Sequence, residues 1–224
     1  MDFETLVQTR RSVRGFKKQP VPRMVIEELI EVAKRAPSSM NTQPWHIHVL
    51  TGEPLEQVRR RNMEEMMAGA KPKRDIISHG EYQGVHRGRQ VDISKKLFAD
   101  GDCARRQADA AGLGVARVPA VRRASFAGPG LGQDPRSRRG LPLRPRRALL
   151  RHVLAAWDRG LGSVINGQGI TRSDIVRDVA NIPEDQVIMT CVAMGYPDDS
   201  FPANGVRSDR QANDDFVRYV GFSD

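Results

Sequence analysis

The sequence predicts a single domain of mixed helices and strands, and three stretches carry that prediction. Met24, Val25, Leu29, Val32, Ala33 and Ala36 recur at three- and four-residue spacing, so residues 23 to 36 read as a helix with one buried face. Trp45, Ile47 and Val49 alternate with His46 and His48, as in a strand buried on one side. Val187 to Gly195 is nearly all apolar, the pattern of a central strand covered on both faces. At 224 residues the chain is long enough to bury a sizeable core as one domain, or at most two small ones.

In chain order, Phe3, Leu6 and Val7 suggest a short first helix. Arg10-Arg11-Ser12-Val13-Arg14-Gly15-Phe16 follows, placing three Arg and a hydroxyl within five residues. Such a cluster can form forked hydrogen bonds to a phosphate, although a solvated basic helix end has the same composition. Pro20 and Pro22 lead into the helix at 23 to 36, which Pro37 stops. Between this helix and the next strand lies Pro37-Ser38-Ser39-Met40-Asn41-Thr42-Gln43-Pro44-Trp45. This loop is fixed at both ends and offers two serine hydroxyls and the carboxamides of Asn41 and Gln43. Each carboxamide pairs a donor with an acceptor, which suits the edge of a flat, heteroatom-rich ligand. An ordinary turn would favour the same residues for local reasons.

Gly52 breaks the strand after Leu50, and Pro54 opens a helix running to about Met67, whose Met63, Met66 and Met67 suit core filling or a contact surface. Ala68 to Gln90 is polar and weakly periodic, and reads as a surface excursion, with helix returning from Val91 to Phe98. Val153 to Trp157 reads as the end of a buried helix stopped by Gly160, and Leu161 to Ile165 as a short strand. Asn166-Gly167-Gln168-Gly169 is a backbone-exposing turn. Thr171 and Asp174 have cap spacing for a helix over about 172 to 180. The polar tail from Tyr196 ends with Phe216, Tyr219, Val220 and Phe222, apolar surface that should pack on something, such as a partner subunit.

The net charge of +9 would ordinarily point to nucleic acid or an anionic surface. Its distribution says otherwise. Residues 101 to 152 hold twelve Arg, three Asp and no Lys or Glu, and the rest of the chain is balanced at 24 basic and 24 acidic side chains. That block also lacks Ile, Asn, Thr, Tyr, Met and Trp, while residues with GC-rich codons dominate. Regrouping possible codons one base later makes Val118 to Ala124 compatible with Phe-Arg-Gln-Phe-Asp-Ala-Pro, and Pro142 to Ala148 with His-Phe-Asp-Leu-Gly-Ala. The block is therefore suspected to be translated out of frame. The alternative is a genuine Arg- and Pro-rich disordered linker, but some fifty structureless residues inside a compact domain would be unusual.

No run of about 18 apolar residues suggests a membrane span, and Met1-Asp2-Phe3-Glu4 lacks the start of a signal peptide. Cys103 and Cys191 have no metal spacing, so a reduced cytoplasmic setting is expected. His46 and His48 share a strand face without a supporting Cys or carboxylate nearby, and no metal centre is expected. There is no nucleophile elbow, no P-loop and no dinucleotide-binding glycine fingerprint.

Taken together, the Arg10 to Phe16 motif, the Pro37 to Trp45 loop and Gly160-Leu161-Gly162-Ser163 resemble the FMN-dependent nitroreductase family in order and separation. The resemblance covers residues 1 to about 100 and 153 to 224. It implies an α+β fold with a central, mostly antiparallel sheet wrapped by helices, and an intertwined homodimer with FMN sites at the interface. By motif position it implies that Arg10, Arg11, Ser12 and Arg14 hold the cofactor's phosphate, ribityl chain and pyrimidine edge. Pro37, Ser38, Ser39, Asn41 and Gln43 would reach FMN from the other subunit. Asn166, Gly167 and Gln168 would lie by the flavin face, although their sequence departs from the family's usual proline- and glycine-containing form. Arg207 would give a second phosphate contact. No catalytic side chain is implied, because the flavin carries the chemistry and the protein supplies orientation and electrostatics. NAD(P)H would deliver hydride, and a nitroaromatic or another small oxidant would collect it. Dehalogenation or enal reduction on the same fold remains an alternative. A nucleic-acid-binding role is less favoured, because its basic residues lie in the doubtful block and lack interleaved aromatics.

Overall fold

The computed structural model describes residues 1–76, 82–98, 122–129 and 143–222, with backbone alone for 122–129 and 143–146. Six helices are described: α1 (Phe3–Thr9), α2 (Arg23–Ala33), α3 (Gly52–Met67), α4 (Gly84–Phe98), α5 (Leu143–Asp158) and α6 (Ser173–Ala180). Four strands, β1 (His46–Leu50), β2 (Arg122–Pro129), β3 (Gly162–Asn166) and β4 (Gln186–Gly195), form one sheet in the order β1-β2-β4-β3. Every neighbouring pair is antiparallel, as expected for this α+β fold.

Alternation along β4 divides the core between the two sheet faces. Val192 and Met194 join Ile26, Leu29, Leu149, Val153 and Ala156, so α2 and α5 cover one face. Ala193 packs with Val13 and Phe16. Cys191 and Ile188 pack with Leu55, Val58 and Val176, so α3 and α6 cover the other face. Ile188 shares a cluster with Cys191 because the ladder shifts between Phe126 and Ala127, whose β4 partners are Thr190 and Ile188. The extra residue, Met189, reverses the alternation there. Cys191 to Gly195 are all buried, as their apolar sequence predicts.

Several boundaries differ from those predicted. The α2 helix ends at Ala33, four residues before Pro37. The helix expected from Val91 starts at Gly84, and residues 77–81 of the predicted excursion lie outside the described residues. No residue of α4 is buried, so the core imposes no apolar stripe from which its start could be read. At α6 the capping position is Arg172 rather than Thr171, whose hydroxyl instead donates to the Gly167 carbonyl at 3.4 Å. Within the anomalous block, 122–129 form β2 and α5 begins at Leu143, while 101–121 and 130–142 lie outside the described residues.

Candidate functional site

The Arg10–Phe16 segment lies against the outer edge of the sheet. Ser12 bridges Ser163 in parallel, and the Val13 N–H donates to the Ser163 carbonyl at 3.0 Å. Two glycines permit this approach. A Cβ on Gly162 would stand 2.6 Å from the Val13 side chain, and one on Gly15 would stand 2.2 Å from the Phe201 ring. The segment closes with a Phe16–Pro197 bridge.

Asn204, only 2% exposed, ties this segment to the tail. Its Oδ1 accepts from the N–H groups of Arg14 (2.7 Å) and Gly15 (3.1 Å), while its Nδ2 donates to the carbonyls of Gly15 (2.7 Å) and Asp198 (2.8 Å). Arg207 Nη1 donates to the Asn204 main-chain carbonyl at 2.9 Å, so one buried residue joins the Arg14 segment, through its side chain, to Arg207, through its backbone. Burial, and then the neighbouring Arg210, push the Arg10 guanidinium below its ordinary range. The hydrogen bonds of Arg207 and Arg210 go to main-chain carbonyls and the Ser208 hydroxyl. Arg10, Ser12, Arg14 and Arg207 thus gather at one end of β3, with Arg210 as a member that the motif reading missed. Arg11 turns aside, lying 5.4 Å over the Trp157 ring with an Nη2 3.7 Å from Asp199.

Asn166, Gly167 and Gln168 occupy the other end of β3. The Asn166 Oδ1 accepts from the Gly169 N–H at 3.1 Å and from the Cys191 thiol at 3.1 Å, which folds the turn back onto β4. Arg74, which no sequence motif marked, packs its guanidinium against Gly167: a Cβ there would lie 3.7–3.8 Å from Cζ and both Nη atoms.

The Pro37–Gln43 loop is held mainly by its own bonds. The Gln43 N–H donates to Ser38 Oγ (3.0 Å), the Asn41 N–H to the Ser38 carbonyl (3.1 Å), and Arg147 Nη1 to the Pro37 carbonyl (3.4 Å). Met40, Asn41 and Gln43 all have positive φ, a conformation Asn adopts more readily than Met. Pro37, Ser39, Asn41 and Gln43 are exposed and Ser38 is half-buried. The loop leads into β1, at the opposite edge of the sheet from β3, three strand spacings or roughly 14 Å away. One chain therefore brings the Arg10–Arg14 and Arg207 groups together and leaves this loop apart. His48 Nε2 bonds the Gln186 carboxamide at 2.9 Å, a partner no sequence signal marked. Among the described residues no group of His, Cys, Asp or Glu is arranged to hold a metal ion.

The fold and sequence have counterparts among known proteins. The Nitroreductase family model matches residues 7–196, and the chain belongs to that family. It is 30% identical to a 4-nitrobenzoate reductase of Pseudomonas putida, over 99% of this chain and 96% of that protein. It is also 30% identical to a chloronitrobenzene nitroreductase of Comamonas testosteroni, over 97% and 96% respectively. The crystal structure of the FMN-dependent nitroreductase NfnB from Mycobacterium smegmatis in complex with NADPH superposes with a TM-score of 0.78. It is 23% identical and 97% of each chain is covered, a likeness of fold.

Proposed function

We propose that the protein is an FMN-dependent oxidoreductase that uses NAD(P)H to reduce nitroaromatic acceptors in the cytoplasm. The observation that carries this reading is the gathering of basic residues beside Ser12: Asn204 ties the Arg14 main chain to the Arg207 guanidinium, and Arg210 acts electrostatically on Arg10. Crowded cations are destabilising unless an anion offsets them, and a phosphate accepts forked arginine bonds. The donors therefore fit the phosphate end of FMN. Arg10, Arg14 and Arg207 would hold that group, and Ser12 would hold the ribityl chain. The turn at Asn166, Gly167 and Gln168, which begins about 10 Å along β3 from Ser163, would lie by the ring. Bound there, FMN would supply the redox chemistry, taking hydride from NAD(P)H and delivering reducing equivalents to the acceptor in a separate, ping-pong half-reaction. The protein would bind and orient both reactants and exclude water.

The opposite-edge position of the Pro37–Gln43 loop supports a homodimer in which Pro37, Ser38, Ser39, Asn41 and Gln43 of one subunit complete the other's site. Among the described residues no helix is long and apolar enough to cross a membrane. Reconstitution with FMN tests the reading. A dimer is expected to retain yellow flavin through gel filtration and to oxidise NADPH or NADH only when an acceptor such as nitrobenzene is supplied. A monomer that retains no FMN would overturn it.

Residues 101–152 we propose to be read out of the gene's frame. Support comes from β2, which is paired along both edges, with β1 and with β4. It nevertheless carries Arg122-Arg123 at one end and Gly128-Pro129 at the other. A strand with two neighbours ordinarily excludes Pro and Gly and favours β-branched residues. The fold asks for a core strand where the recorded residues suit a solvated loop.

A further inference from the structure

We propose that Arg74 recognises a carboxylate on the acceptor, making nitroarene carboxylates the preferred substrate class; this rests on the flavoenzyme reading above. The backbone around Arg74 is fixed from both sides. Lys73 forms a parallel bridge with Arg172, donating its N–H to the Thr171 carbonyl (2.8 Å) and accepting from the Ser173 N–H (2.8 Å). The Asp75 N–H donates to Ser173 Oγ at 3.3 Å, and Asp75 Oδ2 accepts from the Ile188 N–H at 2.8 Å.

The nearby carboxylates are committed to other cations. Asp75 pairs with Arg177 at 2.6 Å, Asp174 pairs with Arg172 at 2.9 Å and Lys73 at 3.4 Å, and Glu65 pairs with Arg172. Arg74 has no ion pair among the described residues, and its Nε is buried without a hydrogen-bond partner. Its Cζ and both Nη atoms stand nearly equidistant from the Gly167 Cβ position, so the planar group lies face-on to the turn. A half-buried guanidinium on a held backbone, with no ion pair among the described residues, is suited to a planar anion that can accept two parallel bonds. The phosphate has its own cluster near Ser163, at the far end of β3. What remains for Arg74, beside the proposed ring position, is a small planar anion brought by the second substrate.

The test compares the FMN-loaded protein with its R74M and R74K variants, using 4-nitrobenzoate and nitrobenzene as acceptors and benzoate as an unreactive ligand. In R74M the kcat/KM preference for 4-nitrobenzoate over nitrobenzene should fall roughly tenfold or more, the scale of one charge-assisted forked contact. Calorimetric benzoate affinity should fall by a similar factor. R74K, which keeps the charge but not the fork, should lie between, and thermal melting checks that both variants fold. Unchanged preference and benzoate affinity in R74M would overturn the role of Arg74, as would an equal fall in kcat/KM for both nitroarenes with benzoate affinity unchanged. Failure of the parent protein to reduce either nitroarene would instead overturn the enzyme reading, while benzoate calorimetry would still judge Arg74.

Discussion

Asn204 uses both ends of its carboxamide, accepting two bonds and donating two, all inside the fold. Replacing it with Ala would leave the N–H groups of Arg14 and Gly15 and the Gly15 and Asp198 carbonyls without those partners. Each buried group so stranded costs about 1–3 kcal/mol, partly recovered by local relaxation and water. Asn204→Ala is therefore expected to lower unfolding free energy by about 2–3 kcal/mol and to weaken FMN retention, because the main chain of the Arg14 segment loses its anchor. Urea unfolding and flavin content after gel filtration measure both. Parental values for both would remove Asn204 from its anchoring role. Sequence reading singled out Arg14 and Arg207 but passed over Asn204, which sits in Pro-Ala-Asn-Gly, an ordinary turn composition. Its importance arises from a partner 190 residues away.

At the scale of elements, residues 73–75 and α6 behave as one piece. One of their links is Asp174, which Arg172 and, more weakly, Lys73 hold down to about 2 against the opposing effect of burial. A carboxylate whose folded pKa lies below its ordinary 3.8 stabilises the fold above that value. This contribution is lost as pH falls from about 4 towards about 2. Asp174→Asn should therefore melt at a lower temperature than the parent at pH 7, with the gap closing over that acid window. A constant gap from pH 5 to pH 2 would rule out this linkage. The sequence offered Asp174 as a helix-start residue, and it does lie in the first turn of α6. Its pairing with Lys73 was not legible, because segment 68–76 has no periodicity to place it. The α4 start was hidden for a related reason, since a helix that buries nothing carries no core-facing pattern.

For the whole molecule, Phe216, Tyr219, Val220 and Phe222 are 59–87% exposed, although the tail's apolar content predicts a packing partner. Tyr219 and Phe222 meet edge-on at 5.8 Å but leave most of their surface in water. A second copy covering them accords with the proposed dimer. Intact mass under denaturing conditions addresses the other molecular question. The recorded chain has a mass of 25.0 kDa, and a clear departure from its calculated value is expected if 101–152 is out of frame. Agreement to within a few daltons would sink that proposal. The sequence by itself determined the helix and strand types of α2, β1, β3 and β4 from their apolar spacing, although Met24, Val32 and Val49, expected on buried faces, are exposed. It also located the basic segment and the Pro37 loop as site candidates, because their chemistry is local. Only the tertiary structure decided that Asn204 joins Arg14 to Arg207, that Arg74 meets Gly167, and that the loop and basic segment lie at opposite sheet edges. Those relations depend on strand order and on contacts between distant residues, which leave no periodic trace along the chain.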